Sequence, residues 1–321
     1  MADVLLDSTA HETETATLPA PRPGVSRARI YGVLALGIVC IALSAIFVKL
    51  AVGVPGTVSA FYRVAIAAVA LAIPFARGQT RKRRASEAHG RLGWRIWALA
   101  IIAGVFFALD LGFWNTSLGF TTAANATLLG NDAPLVVGLG ALLLFHERPR
   151  VSYWLGLIIA LLGMSVIVGW DVISQSSLSA GDLLAMLAGV FYAGYLLTTQ
   201  RIRAKMDTLP SLWVASATGT VLLLAFILAT GQALGGYTLN AYMALLGLGL
   251  ISQVVGWLAI NYALGHMPAS VVSVTLLAQP ILTALFAVPL LSESLAAHQI
   301  AGGLIALSGI FLVNRGVGKQ R

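Results

Sequence analysis

Three formal charges sit well inside long apolar stretches of this 321-residue chain: Arg63, Asp110 and Asp132. If those stretches lie in lipid, each charge costs at least about 2.5–3.5 kcal/mol at the bilayer centre even on the most lenient scale, so each must face protein or a water-filled path. Arg63 lies about seven residues from one end of its stretch, roughly 10 Å deep, and Asp110 about eight residues from the matching end of the next, roughly 12 Å. Equal depth predicts an ion pair, which either borders a polar path or only fixes helix orientation. Asp132 follows Asn131 and precedes Pro134 by two. Proline lacks a backbone donor and clashes with the preceding turn, which frees carbonyls beside the acid. No cation of similar depth accompanies Asp132, which makes it the candidate for proton exchange. The plainer alternative is a protonated acid bonded to a freed carbonyl.

Polar and aromatic residues recur on single helical faces around these charges. Gln253, Trp257 and Asn261 are spaced by four and share a face, as do Asp110, Trp114 and Ser117, and Tyr192, Tyr195 and Thr199. Polar groups beside aromatic rings suit an amphipathic solute, although such a stripe also arises from helix packing alone. Gln279, beside Pro280, mirrors the Ala133-Pro134 position.

The elements that carry these residues follow from composition. Only 10% of residues are charged and 58% are hydrophobic, with mean hydropathy +0.88. A soluble domain has roughly 25% charged residues, so this surface cannot be covered in water. Ten apolar runs are long enough for helical spans: 30–51, 56–76, 96–118, 122–145, 151–170, 181–200, 211–230, 241–264, 269–291 and 297–314. In a bilayer such runs can only be helices. Residues 1–29 form a polar tail, expected to be disordered, and no signal peptide is expected.

Basic residues then set the topology. Arg22, Arg27 and Arg29 precede the first run. Seven more, from Arg77 to Arg95, fill the second connection. Arg148 and Arg150 lie in the fourth, Arg201, Arg203 and Lys205 in the sixth, and Arg315, Lys319 and Arg321 at the C-terminus. With ten spans, all of the 20 Lys and Arg except Lys49 and Arg63 fall on one side. The positive-inside rule makes that side, and both termini, cytoplasmic. Trp94, Trp97, Trp154, Trp170 and Trp213 fall near run ends, as headgroup-level rings do. Cys40, the one cysteine, lies within an apolar run and reads as a small packing residue.

A shift of 146 positions aligns two segments without a gap. Asn115 meets Asn261, Pro134 meets Pro280, Glu147 meets Glu293, Gly156 meets Gly302, Ala160 meets Ala306 and Gly163 meets Gly309. Matches among rarer residue types signal duplication. Each half, 30–171 and 181–315, holds five spans, so the halves enter the membrane in opposite senses. The expected fold is therefore an all-α membrane protein, with ten transmembrane helices as two inverted five-helix repeats. Inverted repeats place a site near the midplane, where the halves meet. The small residues one turn apart, Gly156 with Ala160 and Gly302 with Ala306, are expected to let helices approach closely.

On these residues the chain resembles the drug/metabolite transporter superfamily of EamA type. The resemblance rests on the duplicated plan, on Pro134 with Glu147 and Pro280 with Glu293, on Gly181-Asp182-Leu183-Leu184-Ala185, and on Arg63 early in the second span. It implies a secondary carrier of the inner membrane, often an exporter of amino acids or other small metabolites. Export and import are not distinguished by the residues themselves.

Other classes fit less well. No GxxxxGK[ST], HExxH or GxSxG occurs, which argues against ATP use and against an enzyme. No cofactor, metal or nucleic-acid partner is implied, since the +8 net charge sits in short blocks between apolar runs. The expected partners are a small-molecule substrate and the lipid bilayer. Oligomeric state is left open, a monomer being admissible. A non-transporting sensor or assembly subunit is the alternative; duplicated inverted halves argue against it. The expected solute pathway comprises Arg63, Asp110, Trp114, Asn131, Asp132, Tyr192, Tyr195, Gln253, Trp257, Asn261 and Gln279.

Overall fold

A computed structural model describes residues 25–85, 93–117, 120–121, 129–144, 150–168, 179–292 and 295–317. All secondary structure among them is helical. Eight helices are long and apolar enough to cross a membrane, and two shorter apolar ones accompany them. Together they fall on the ten expected runs. Residues 1–24 of the expected tail, Glu147, Glu293, Trp170 and Arg148 lie outside the described residues.

The helices are α1 (Arg27–Leu50), α2 (Gly56–Ala85), α3 (Trp94–Ser117), α4 (Ala133–Leu144), α5 (Val151–Val168), α6 (Ala180–Arg203) and α7 (Thr208–Ala229). They continue with α8 (Leu239–Gly247), a π-helical segment (Leu248–Gly256), α9 (Trp257–Leu264), α10 (Ala269–Leu276), α11 (Ala278–Leu291) and α12 (Ala297–Val317).

Polar side chains mark the helix starts. Ser26 accepts from the Arg29 amide at 3.3 Å, and Thr238 accepts from the Ala241 amide at 3.2 Å. At the head of α6, Ser179 and Asp182 form a reciprocal capping box. Asp182 also accepts from Thr121 Oγ1 at 2.6 Å, which ties α6 to the segment following α3. The loop from α7 to α8 turns at Gly231 (φ 67°) and Gly236 (φ 89°), where a side chain would strain the backbone. Tyr62 donates to Leu234 O at 2.7 Å and clamps this loop to α2.

Three runs expected to be continuous helices are not, the fourth turning at Asn131-Asp132 before α4. The eighth changes to π geometry at Leu248–Gly256 and returns to α at Trp257. The ninth breaks at Leu277. Pro280 therefore sits in the first turn of α11, and Pro134 is the second residue of α4. In a first turn a missing N–H breaks no helical bond. Both prolines start helices and do not kink them.

The packing has a regular scheme. α1 lies along the composite eighth helix as α3 lies along α6; α2 faces α7; α5 faces α12; α4 packs on α6 as α11 packs on α1. Exchanging α1–α5 for α6–α12 in order maps this scheme onto itself. The α5–α12 pair is the tightest, and the small residues picked out in the sequence make it so. A Cβ on Gly163 would lie 2.3 Å from Ala306 N, one on Gly156 2.6 Å from Gly309 O, and one on Gly309 2.4 Å from Gly156 O. In lipid such close approach replaces the hydrophobic drive with dispersion contact.

Trp213 lies near the start of α7, as expected. It stacks on Phe75 with centroids 4.0 Å apart, and its Nε1 donates to Ala68 O at 3.0 Å. Its ring therefore joins α7 to α2. Arg203, counted among exposed basic residues, is only 5% exposed.

Gly163→Ala is expected to lower the thermal unfolding midpoint in detergent, because overpacking at a backbone contact costs about 1–3 kcal/mol. Gly32→Ala is the control, since nothing lies within 4 Å of a Cβ there; its midpoint should stay level or rise.

Candidate functional site

Arg63 projects from α2, seven residues after its start. Its Nε donates to Gln253 Oε1 at 2.6 Å. Gln253 belongs to the π segment and has no exposed surface. Asp110 on α3 and Tyr192 and Tyr195 on α6 all act on the Arg63 charge through space. The expected Arg63–Asp110 pairing is present as a through-space interaction of the two charges, while the side-chain hydrogen bond of Arg63 goes to Gln253. The wider turn of the π segment, which no sequence pattern signalled, accompanies this hydrogen bond.

Aromatic rings close around this group. Trp257 lies 5.1 Å from Tyr195 and 5.1 Å from Phe107, both nearly edge-on, and 6.0 Å from Tyr192. Phe107 and Tyr195 are 4.7 Å apart. These are favourable edge-to-face and tilted geometries. Asn261 spans the cluster, its Nδ2 donating to Tyr195 Oη at 2.9 Å and to Trp257 O at 2.9 Å.

Several polar atoms here stay unsatisfied. Gln253 Nε2, Trp257 Nε1, Asn261 Oδ1 and Thr199 Oγ1 are buried with no partner among the described residues. Native interiors rarely leave such groups unpaired. Gln253, Trp257 and Asn261 are 0%, 3% and 0% exposed, whereas Arg63, Asp110 and Tyr192 are half-buried.

Asp132 occupies a neighbouring place. It does not lie within a continuous helix, as expected, but in the turn before α4, where its carbonyl accepts from the amides of Leu135 (2.8 Å) and Val136 (3.3 Å). Tyr153 donates to Pro134 O at 2.7 Å and holds this turn against α5. Asp132 Oδ1 is buried without a partner among the described residues, pressed on Gly189 of α6, where a Cβ would lie 1.7 Å away. Asn131 shares the turn and is half-buried. Trp114 packs on Gly130, 3.3 Å from a Cβ built there, so it joins α3 to the Asp132 turn. Gln279 stands apart from both groups, its Nε2 meeting Ile41 O on α1 at 3.4 Å. Ser117, expected on the Trp114 face, is satisfied locally by Trp114 O at 2.7 Å.

The structure therefore brings together Arg63, Asp110, Tyr192, Tyr195, Gln253, Trp257 and Asn261, with Trp114, Asn131 and Asp132 beside the α3–α6 seam. Sequence reasoning missed Phe107, although the 146-residue shift pairs it with Gln253 and flags the position. It also missed Arg203 and Gln200 on α6. Arg203 Nε donates to Asn261 O at 2.9 Å, and Gln200 Oε1 accepts from the Ala269 amide at 2.7 Å. Arg203 supports the end of α9, which carries Asn261, and Gln200 holds the start of α10. A cation at a helix C-terminus is favourable there.

Comparison with known proteins gives a consistent likeness. The sequence profile of the EamA-like transporter family matches residues 29–169 and again 179–315. An uncharacterized transporter of Archaeoglobus fulgidus is 29% identical over 258 residues, covering 79% of this chain and 86% of its own. The pseudopaline exporter CntI of Pseudomonas aeruginosa is 28% identical over 218 residues, covering 68% and 75%. A protein crystal structure superposes with TM-score 0.72 at 17% identity, over 92% of this chain and 99% of its own; at that identity the likeness concerns the fold.

Gly189→Ala is expected to destabilise the protein, because its methyl meets Asp132; overpacking of this kind costs about 1–3 kcal/mol. Adding Asp132→Ala to it should recover part of the loss, which a double-mutant cycle of unfolding midpoints measures. Additive losses would contradict the contact.

Proposed function

The chain belongs to the EamA-like transporter family, and from that membership we propose that it is a secondary active exporter of a small metabolite, such as an amino acid, working by alternating access. One observation carries the proposal. Buried polar atoms of Gln253, Trp257 and Asn261 have no partner among the described residues, inside an aromatic cluster beside the charges of Arg63 and Asp110. A purely structural core would pair them or replace them with apolar groups. A solute that supplies the missing partners explains why they persist.

In this reading the ten helices all span the membrane. The two five-helix halves are inverted, and the solute binds between them near the midplane. The exchange-symmetric packing of α1–α5 with α6–α12 supports that arrangement, as does the double match of the family profile. Segregation of Lys and Arg supports cytoplasmic termini, and family membership supports a bacterial-type inner membrane. The π segment at Leu248–Gly256 and the break at Leu277 are the places where the second half bends as the halves rock. A π turn inside a helix is often a working position.

Asp132 is the proton-exchanging group. Its Oδ1, without a partner among the described residues, and its place in a turn between packed helices support that role. Arg63, Asp110, Tyr192, Tyr195, Gln253, Trp257 and Asn261 contact the solute, and Trp114 and Asn131 border it. Gln279 belongs to the same pathway through its hold on α1. The exporting direction is supported by the likeness to the pseudopaline exporter.

Proteoliposomes loaded with a panel of amino acids test the proposal. Counterflow of at least one is expected, and Arg63→Gln should reduce it by about tenfold or more, as loss of a charged hydrogen-bond donor does. Asp132→Asn should keep counterflow yet lose stimulation by a pH gradient; full pH-driven flux in that variant would contradict proton exchange at this residue.

A further inference from the structure

Two buried N–H groups on successive turns of one helix, Gln253 Nε2 and Trp257 Nε1, have no acceptor among the described residues. The orientation of the Gln253 amide is fixed by Arg63. Because Nε of Arg63 donates to Oε1, the amide carbonyl faces the guanidinium, and the NH2 group is left for something else. Trp257 cannot change its role either, since an indole nitrogen only donates. Its ring is held on three sides by Phe107, Tyr192 and Tyr195.

Arg63 adds charge to these donors. Its guanidinium has five N–H groups in a planar fork that matches an oxoanion, and the bond to Gln253 uses only Nε. The site thus combines a fixed, half-buried cation with two buried neutral donors. Charge-assisted hydrogen bonds are strong in such a site. We propose that Arg63, Gln253 and Trp257 form a docking subsite for an ionised carboxyl group on the solute. This rests on the carrier reading above and deepens it.

The rest of the cluster defines the other end of the solute. Asp110 already balances the Arg63 charge through space, so a simple anion would leave the group negative. A zwitterion leaves the balance unchanged. Its carboxylate takes the donors, and its cationic group faces Asp110 and the unpartnered Asn261 Oδ1. Water alone satisfies N–H groups, yet it does not select for charge, and that difference is measurable.

The test compares L-phenylalanine with L-phenylalaninamide, and L-leucine with L-leucinamide, binding to the purified full-length protein in calorimetry. Below about pH 6.5 each amide keeps the ammonium and the side chain and replaces only the carboxylate. The acids are expected to bind about tenfold or more tightly than their amides, the effect of hydrogen bonds to a charged group. Gln253→Glu keeps an acceptor for Arg63 and loses the free N–H, so the preference for the acid should disappear. Trp257→Phe keeps a ring and removes the other donor; it provides a second reading if Gln253→Glu does not fold, and should weaken the acids more than the amides, so that the ratio between them falls. Acids that bind no better than amides, both silent included, would overturn the subsite. Counterflow of an uncharged solute in the same preparation would leave the carrier reading standing while the subsite fell.

Discussion

A guanidinium inside an apolar bundle has to be held, and the hydrogen bond from Arg63 to Gln253 is what holds it here. The desolvation cost of a buried cation is several kcal/mol even after relaxation. That cost is offset only if the surrounding helices bring a good acceptor and a counter-charge to the same depth. Gln253 supplies the first and Asp110 the second. The requirement constrains α2, α3 and the eighth helix together, because a change in the depth or rotation of any of them would strand the charge. The π segment belongs to this constraint, since Gln253 projects from it.

The aromatic wall follows from the same need. Trp257, Tyr195 and Phe107 pack together beside Gln253 and lower the polarity around its hydrogen bond, while Asn261 ties Tyr195 back to the helix that carries Trp257. Arg203 then fixes the end of that helix by donating to the Asn261 carbonyl. A chain of contacts thus runs from α6 through α9 to the buried cation. The second acidic place, Asp132 beside Gly189, is built on a different device: a turn before a short helix, with a glycine opposite because no Cβ fits.

Much of this was legible in the sequence for physical reasons. Long apolar runs leave helices as the only option in lipid, and the small residues repeated at a shift of 146 were expected at close helix approaches, where Gly156 meets Gly309. The side chains that converge were also legible, because polar groups are rare enough in such runs to stand out. Their hydrogen bonds were not. Depth alone put Arg63 with Asp110, since depth is what residue counting measures, whereas the rotation that brings Gln253 to Arg63 depends on a local change of helix type. The turn at Asp132 was hidden in the same way: Pro134 reads equally as a kink or as a helix start. Phe107 was overlooked because an aromatic residue in an apolar run carries no contrast, and Arg203 because three basic residues together look like a solvated end.

The central claim is that Gln253 is the group that makes the Arg63 charge tolerable in the core. A double-mutant cycle on unfolding free energy, with Arg63→Met, Gln253→Leu and the pair together, measures it most directly. Removing one partner leaves a buried group stranded, whereas removing both leaves an apolar contact. The account predicts that the double variant is more stable than the sum of the single losses implies, by a coupling of about 0.5–3 kcal/mol. Single effects that simply add would show that the two side chains do not depend on each other, and would contradict it.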